Sequence, residues 1–241
     1  MSDLIFDFYF FKTSMNTNDE VKKINKYSKK KNNIALFSLK QIKGRGRINK
    51  KWISEKGDLT CSYFINKDFK INDLGNINLW FTFILLSSLR RKFPKKKIKI
   101  KWPNDIYIEN KKLAGVLIET NIVKNKIKSL IVGLGINFVS SPNNLDYETI
   151  SVNSFSKEVN PIGFFLYFTK EISESLCILE KKNIDKKDKK FLQSFKDFGK
   201  SINIKKNGKI IKGIFYGLGD NGEIILKKND KLHLISYGDI V

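Results

Sequence analysis

Apolar residues along the chain repeat with two periods, and turn residues mark where one gives way to the other. Leu4 to Phe11 is rich in Ile, Phe and Tyr and predicts a first strand. Thr17-Asn18-Asp19-Glu20 has the Ser/Thr-x-x-Glu form of a capping box, and Val21, Ile24 and Tyr27 follow at three-residue spacing. This predicts a helix capped at Thr17 and ending near Lys30. Asn32 and Asn33 turn the chain into a short buried strand, Ile34 to Leu39, and Gly57-Asp58 is the entry turn of another, Leu59 to Ile65. Asn76 reads as the N-cap of a helix running through Phe93, with Pro94 beyond its end. Ile98 and Ile100 alternate with lysines, so Lys97 to Trp102 is a half-exposed strand. Pro103 breaks it; Asp105 to Ile108 resumes, and a turn at Glu109 to Lys111 leads into Leu113 to Ile122. Asn125 marks a hairpin into Lys128 to Val139, an apolar run weakened by Gly133 and Gly135. Interior strand glycines mark a bulge, a packing contact, or a backbone pressed against a ligand.

Ser140 to Asn160 is polar and irregular, framed by Pro142 and Pro161. Ile162 to Glu180 is apolar at helical spacing, and a second helix is expected over Lys186 to Phe198. From Lys200 the texture changes to short strands: Ile202 to Ile204, Ile210 to Tyr216, Glu223 to Leu226, Leu232 to Ile235, and Ile240. Between them stand Asn207-Gly208, Asn221-Gly222 and Asn229-Asp230, and Asn-Gly is a strong two-residue hairpin signal. The pattern predicts a small barrel-like domain, residues 199–241, appended to a helix-and-sheet body, residues 1–198.

At 241 residues and 41% hydrophobic content the chain can bury a real core. The formal charge of +22 raises a nucleic-acid hypothesis. Lysines are spread nearly evenly among Asn and Ile, however, which favours a general solubility and anion-attraction effect over a dedicated binding stripe. Cys61 and Cys177 are far apart and lack metal-ligand spacing. The lone His233 removes most histidine-based chemistry and reads as a surface strand residue. Asp3 and Asp7 stand where a signal peptide would be basic. The longest apolar run, Ile77 to Leu89, is too short to span a bilayer and reads as a buried helix. A cytoplasmic protein is expected.

Two stretches carry candidate chemistry. Of 46 basic residues only Arg45, Arg47, Arg90 and Arg91 are arginine, and two of these fall in Gly44-Arg45-Gly46-Arg47. The glycines allow close backbone approach, and the planar guanidinium forks suit phosphate or carboxylate as lysine does not. Taken alone, a flexible basic loop or an RNA-binding Gly/Arg segment is an equal reading. The second stretch is Lys101-Trp102-Pro103-Asn104-Asp105, followed by Lys112 and Gly115. Pro103 pins a strand end and sets an Asn beside an Asp, a pair suited to a metal and phosphates, with Lys112 one turn later as a point charge. Singly, Trp102 reads as core, Asp105 as a turn former and Lys112 as one solvated lysine among many.

Taken together, Gly-Arg-Gly-Arg with Trp52 and Ser54, Lys-Trp-Pro-Asn-Asp, Lys112 with Gly115, and Gly133-x-Gly135-Ile-Asn137 resemble biotin–protein ligases, also called biotin–[acetyl-CoA-carboxylase] ligases. The resemblance runs from about Leu4 to the C-terminus. It implies an α+β fold: a mixed sheet with flanking helices, similar to lipoyl ligases and distantly to class II synthetases, followed by a small SH3-like barrel. It also implies two reactions, formation of biotinyl-5′-AMP from biotin and ATP, with Mg²⁺, and acyl transfer to a lysine of the biotin carboxyl carrier protein of acetyl-CoA carboxylase.

By position, Asn16, Thr17, Asn18 and Gln41 would contact the biotin ring. Gly44, Arg45, Gly46 and Arg47 would close over biotin and adenylate, and Trp52 would stack near adenine. Lys112 would meet the biotin carboxylate and the reacting phosphoryl group, and Asn104 and Asp105 would orient the nucleotide or its metal. Asn137 would lie at the nucleotide end, with Gly115 and Gly135 giving backbone room. Lys112, Arg45 and Asp105 are thus the implied catalytic groups, Asp105 also as the Mg²⁺ ligand.

The chain departs from the family pattern in having Asn16 where serine is usual, and Ile48, Asn49 and Lys50 after the Gly/Arg run. Its C-terminal strand is also short. The three residues before Leu4 leave none to spare for a helix-turn-helix, so an enzyme without operator binding is expected, as a monomer or homodimer and away from membranes. A lipoate or octanoate ligase is the nearest alternative, and a basic nucleic-acid-binding module is an alternative of another class.

Overall fold

The computed structural model describes residues 5–29, 32–48, 50–143, 145–179, 186 and 188–241. Leu4, Lys30 and Glu180, read from the sequence as element ends, lie outside the described residues, as do Asn49 and the side chain of Cys177. In chain order the elements are β1 (Phe6–Phe11), α1 (Thr17–Tyr27), β2 (Asn33–Ser38), β3 (Gly44–Arg45), β4 (Lys51–Trp52), β5 (Leu59–Ile65), β6 (Phe69–Lys70) and α2 (Leu74–Lys92). There follow β7 (Ile98–Lys101), β8 (Asp105–Ile108), β9 (Lys111–Val123), β10 (Lys126–Ile136), α3 (Pro161–Leu179) and α4 (Lys189–Leu192). Five strands finish the chain: β11 (Ser201–Lys206), β12 (Lys209–Leu218), β13 (Ile224–Lys228), β14 (Lys231–Ile235) and β15 (Asp239–Ile240). Two compact units result, one of Met1–Ile71 with Asn110–Lys182 and one of Asn72–Glu109 with Asn183–Val241.

The first unit is built on strands ordered β1-β2-β5-β10-β9, with β6 also pairing β10. β1 and β2 are parallel, joined by α1, and the remaining pairs are antiparallel. The sheet is therefore mixed. Helices cover both faces, which explains why β2 and β5 read as nearly unbroken apolar runs. On one face Val21 of α1 packs with Ile34, Leu36, Phe64 and Ile131. On the other, Phe165 of α3 meets Phe37 and Tyr63 at centroid distances of 5.5 and 5.9 Å.

Helix α1 is capped one residue earlier than the capping-box pattern implies. The Asn16 side chain accepts from the N–H groups of Asn18 and Asp19. Thr17 is free of the cap because its hydroxyl is used elsewhere, on Gln41.

In the second unit α2 buries Ile77, Leu79, Trp80, Phe81, Leu85, Leu86 and Leu89, and β7 and β8 form an antiparallel hairpin. Asn76 does not cap α2. The 3₁₀ turn Ile71–Asp73 runs straight into the helix, and Asn76 Nδ2 donates instead to the carbonyl of Asp220. The helix expected over Lys186 to Phe198 shrinks to the four residues of α4, capped by Asp188. The backbone beyond it is drawn away by β7: Ile100 N donates to Ser194 O and Lys196 N to Ile100 O, so Phe195 bridges to Ile100.

The last five strands form an antiparallel sheet ordered β14-β13-β12-β11-β15. Asn207 and Gly208 (φ 49° and 76°) and Asn229 and Asp230 (47° and 58°) occupy the left-handed region that a two-residue hairpin needs. His233 is exposed on β14, as the pattern suggested.

Candidate functional site

In the first unit, two connections at the ends of β1 and β2 run side by side. Ser14 N donates to Lys40 O at 2.9 Å, Ile42 N to Ser14 O at 3.0 Å and Lys43 N to Met15 O at 2.7 Å. Buried polar side chains collect at this seam. Asn16 Nδ2 donates to Lys43 O at 2.9 Å. Gln41 Oε1 accepts from the Thr17 N–H at 2.8 Å and from its hydroxyl at 3.0 Å. Ser62 Oγ, from the middle of β5, lies 2.7 Å from Thr17 Oγ1 and 2.6 Å from Asn18 Oδ1. Asn16, Thr17, Asn18, Gln41 and Ser62 are all buried, so this network is shielded from water.

The network is incomplete. Asn18 Nδ2, Ser14 Oγ and the Trp52 indole Nε1 are buried without a hydrogen-bond partner among the described residues. A buried donor left unmade costs about 1–3 kcal/mol, which ligand acceptors would recover. Beside these donors the sheet is carved away. A Cβ at Gly133 would stand 2.5 Å from Asn18 Oδ1, and one at Gly135 would stand 2.3 Å from Trp52 Cε2. Both glycines lie on β10, where Gly135 pairs with Gly115 of β9. The two interior glycines thus give room to an amide and an indole.

The Gly/Arg stretch folds as a small hairpin in which Gly44 pairs with Trp52 and Arg45 with Lys51. Gly46 N donates to Lys50 O at 2.7 Å, and Ile48 at the tip takes φ 50°. Arg45 does not present an open fork. Its Nη1 and Nη2 donate to the two oxygens of Asp19 at 2.6 and 2.8 Å, and Nη2 reaches Glu119 Oε1 at 3.1 Å. Lys22 Nζ lies 2.6 Å from the other oxygen of Glu119. The Arg45 hydrogen bond holds the Asp19 carboxyl below its ordinary range, against the opposing effect of burial. Burial pushes Glu119 upward, but Lys22 and Arg45 outweigh it and the net direction is down. Arg47 is half-buried on the same hairpin.

Lys112, the second residue of β9, has its ammonium 5.6 Å from the Trp52 ring centroid and 5.1 Å from that of Tyr147. Cation–π attraction holds it between two aromatic faces. Its backbone is equally fixed: Lys112 N donates to Glu148 O, and Lys112 O accepts from Ile150 N and from Asn137 Nδ2. Asp58 secures the next segment. Its buried carboxylate accepts from the N–H groups of Phe138, Val139 and Ser140 at 2.9, 2.8 and 3.0 Å.

The second unit carries Asn104 and Asp105 at the turn between β7 and β8, where Asp105 pairs with Lys101. Trp102 is buried and donates its indole N–H to Gly222 O at 3.1 Å, while Asn78 Nδ2 reaches Pro103 O at 3.1 Å. Among the described residues no group of three or more His, Cys, Asp or Glu is placed to hold a metal ion.

The first unit therefore brings together Asn16, Thr17, Asn18, Gln41, Gly44, Trp52, Lys112, Gly115, Gly135 and Asn137, and it carries the hairpin residues Arg45, Gly46 and Arg47. Sequence reasoning missed Ser62, Tyr147, Asp19 and Glu119 as parts of this constellation. Ser62 stands inside an apolar strand and Tyr147 in an irregular stretch, where no spacing signals a role.

The constellation is thus a buried polar network at one end of a mixed sheet, two strand glycines that leave room for an amide and an indole, and a lysine held between two aromatic rings. The chain belongs to the Biotin/lipoate A/B protein ligase family, whose pattern matches residues 9–137, and residues 197–241 match the Biotin protein ligase C terminal domain. The Bifunctional ligase/repressor BirA of Bacillus subtilis is 25% identical over 214 residues, covering 83% of this chain. The match spans only 63% of that relative's own length. The Biotin–[acetyl-CoA-carboxylase] ligase of Paracoccus denitrificans is 24% identical over 108 residues, 44% of this chain and 45% of the relative. Among solved structures, the biotin protein ligase of Aquifex aeolicus in complex with biotin and ATP superposes with a TM-score of 0.81 at 25% identity, covering 98% of this chain and 97% of that one.

Proposed function

We propose that the protein is an ATP-dependent biotin–protein ligase. The observation that carries this reading is the set of buried donors, Asn18 Nδ2 and Trp52 Nε1, left unmade beside Gly133 and Gly135. They suit a ligand that brings acceptors to a buried place, and biotin has two such groups, its ureido carbonyl and its carboxylate. Two similar proteins support the substrates: the Aquifex ligase is bound to biotin and ATP, and the Paracoccus ligase is named for acetyl-CoA carboxylase.

In the proposed first half-reaction a biotin carboxylate oxygen attacks the α-phosphorus of ATP, and pyrophosphate leaves with the electrons of the broken P–O bond. Asn16, Thr17, Asn18, Gln41 and Ser62 hold the ring, and Gly133 and Gly135 leave the room that seats the Asn18 amide and the Trp52 indole beside it. Lys112, already fixed between Trp52 and Tyr147, neutralises charge that builds on the carboxylate and phosphoryl oxygens. Asn104, Asp105 and Asn137 serve the nucleotide. Mg²⁺ would arrive on the phosphates, supplying charge neutralisation; a metal held mainly by phosphates and water needs one or two carboxylates, and Asp105 would supply one. In the second half-reaction a neutral lysine amine of the carrier attacks the acyl carbonyl, and AMP departs. The carrier proposed is the biotin carboxyl carrier protein of acetyl-CoA carboxylase, and no sequence-specific DNA binding is proposed for residues 1–241.

The test is label incorporation from biotin onto a carrier domain, with and without ATP, beside parallel reactions with lipoate and octanoate. Labelling by biotin alone among the three acids, and only with ATP, is expected. Labelling by lipoate or octanoate in its place would reassign the acid; none at all, with nucleic-acid binding instead, would reassign the class.

A further inference from the structure

The side chain of Arg45 is engaged by carboxylates from two elements. Asp19 stands on α1, 26 residues away in sequence, and Glu119 on β9, 74 residues away. A guanidinium has five N–H donors, and here both terminal nitrogens point at carboxylates. Lys22 completes an alternating cluster of two cations and two anions. A substrate carboxylate approaching Arg45 would therefore meet two negative charges already in place.

We propose that Asp19 and Glu119 are positioning residues that tether the β3–β4 hairpin through Arg45, so that Arg45 anchors the strand pair that carries Trp52. The geometry gives the tether a route to the pocket. Arg45 pairs with Lys51 and Gly44 with Trp52, so fixing Arg45 fixes the register that places Trp52. The hairpin is tight at that point: a Cβ at Gly44 would stand 2.3 Å from Trp52 O. The Trp52 indole in turn lies on Gly135 and beneath the Lys112 ammonium. The carboxylates act on the pocket through this hairpin without touching a ligand. The consequence for biotin rests on the ligase reading above; the tether itself does not.

The experiment uses the full chain with Asp19→Asn, Glu119→Gln and the conservative Asp19→Glu. Trypsin is applied to ligand-free protein, and cleavage after Lys43, Arg45, Arg47, Lys50 and Lys51 is followed by mass spectrometry. Asp19→Asn and Glu119→Gln are expected to speed cleavage in this segment by roughly fivefold or more, because local opening governs the rate. Cleavage elsewhere should change little, and Asp19→Glu should restore most of the protection. In biotin-dependent pyrophosphate exchange the same two variants should raise the biotin KM by about tenfold and alter kcat by less than about twofold. Unchanged cleavage in both variants overturns the tether. Faster cleavage with an unchanged biotin KM overturns its role in the pocket. A wild-type protein inert toward biotin would sink the ligase reading, and the trypsin result would still decide the tether.

Discussion

Lys112 is one lysine among many in the sequence, and its surroundings single it out. The ammonium is held by Trp52 and Tyr147, and its backbone by Glu148, Ile150 and Asn137. A cation fixed in advance at developing negative charge is worth more than one that must be recruited from solvent. Lys112→Ala is therefore expected to slow biotinyl-AMP formation by roughly 10²–10³-fold, with a much smaller effect on biotin binding. Single-turnover adenylation beside equilibrium binding separates the two. The Asp19 and Glu119 carboxyls, facing Arg45 and Lys22, lead to a pH prediction. Both are held below their ordinary values, so their contribution is complete above about pH 5, where both groups would be ionised even unfolded, and fades as pH falls through the depressed values. Hydrogen exchange of the 43–52 segment, corrected for its intrinsic pH dependence, should show steady protection from pH 5 to 8 and a loss at more acid pH. Protection that declines between pH 5 and 8 would contradict the sign.

At the scale of elements, Gly133 and Gly135 show what a strand gives up to make a site. From Leu130 to Ile136 β10 would be continuously apolar without them, yet the amide of Asn18 and the indole of Trp52 fill the space their side chains would take. Gly135→Ala is expected to drive the indole out of its seat and to cost about 1–3 kcal/mol, as overpacking does. A lower denaturation midpoint, a shift in tryptophan emission and a raised biotin KM should appear together; a normal emission spectrum would argue against the contact. This level of the fold was largely legible. Period and turn chemistry located β5 and β8 by their bounds and the Asn207-Gly208 hairpin by its residues, because the signals there are local. The misses share a cause of the opposite kind. Asn16 displaced Thr17 as the cap because Gln41, 24 residues away, claims the Thr17 hydroxyl. The helix beyond Lys186 shortened because Ile100 competes for the backbone of Ser194 to Lys196. Likewise the Gly/Arg loop was readable as a motif, but Asp19 and Glu119 as the partners of Arg45 were not, since nothing local pairs them.

At the scale of the whole chain, the last forty residues read as an appended domain, yet their contacts tie them to one part of what precedes them. Phe215, fully buried, lies edge-on to Phe195 and Phe198 at 5.7 and 5.8 Å. The Trp102 indole, from the Lys-Trp-Pro-Asn-Asp turn, is satisfied by the carbonyl of Gly222. At the start of α2, a Cβ at Gly75 would stand 2.1 Å from Asn221 O, and Asn76 donates to Asp220 O. The segment carrying Asn104 and Asp105 is thus packed against the C-terminal strands within a single compact unit, whereas Asn16, Thr17, Asn18, Gln41, Trp52 and Lys112 belong to the other. Removing residues 199–241 would strip Trp102 of its acceptor and expose Phe195, while the hydrogen bonds and ring contacts described above for the biotin-side residues all lie within residues 1–198. The expected result for a chain ending at Phe198 is loss of ATP-dependent adenylation and a lower, broader melting transition, with biotin binding kept within about tenfold of the full-length value. Calorimetric titration of biotin and pyrophosphate exchange on the same preparation check this. Equal loss of both activities would mean that the C-terminal strands support the ring pocket as well as the nucleotide turn. Full retention of adenylation would mean that the turn around Asn104 and Asp105 holds its shape without the Gly222 carbonyl.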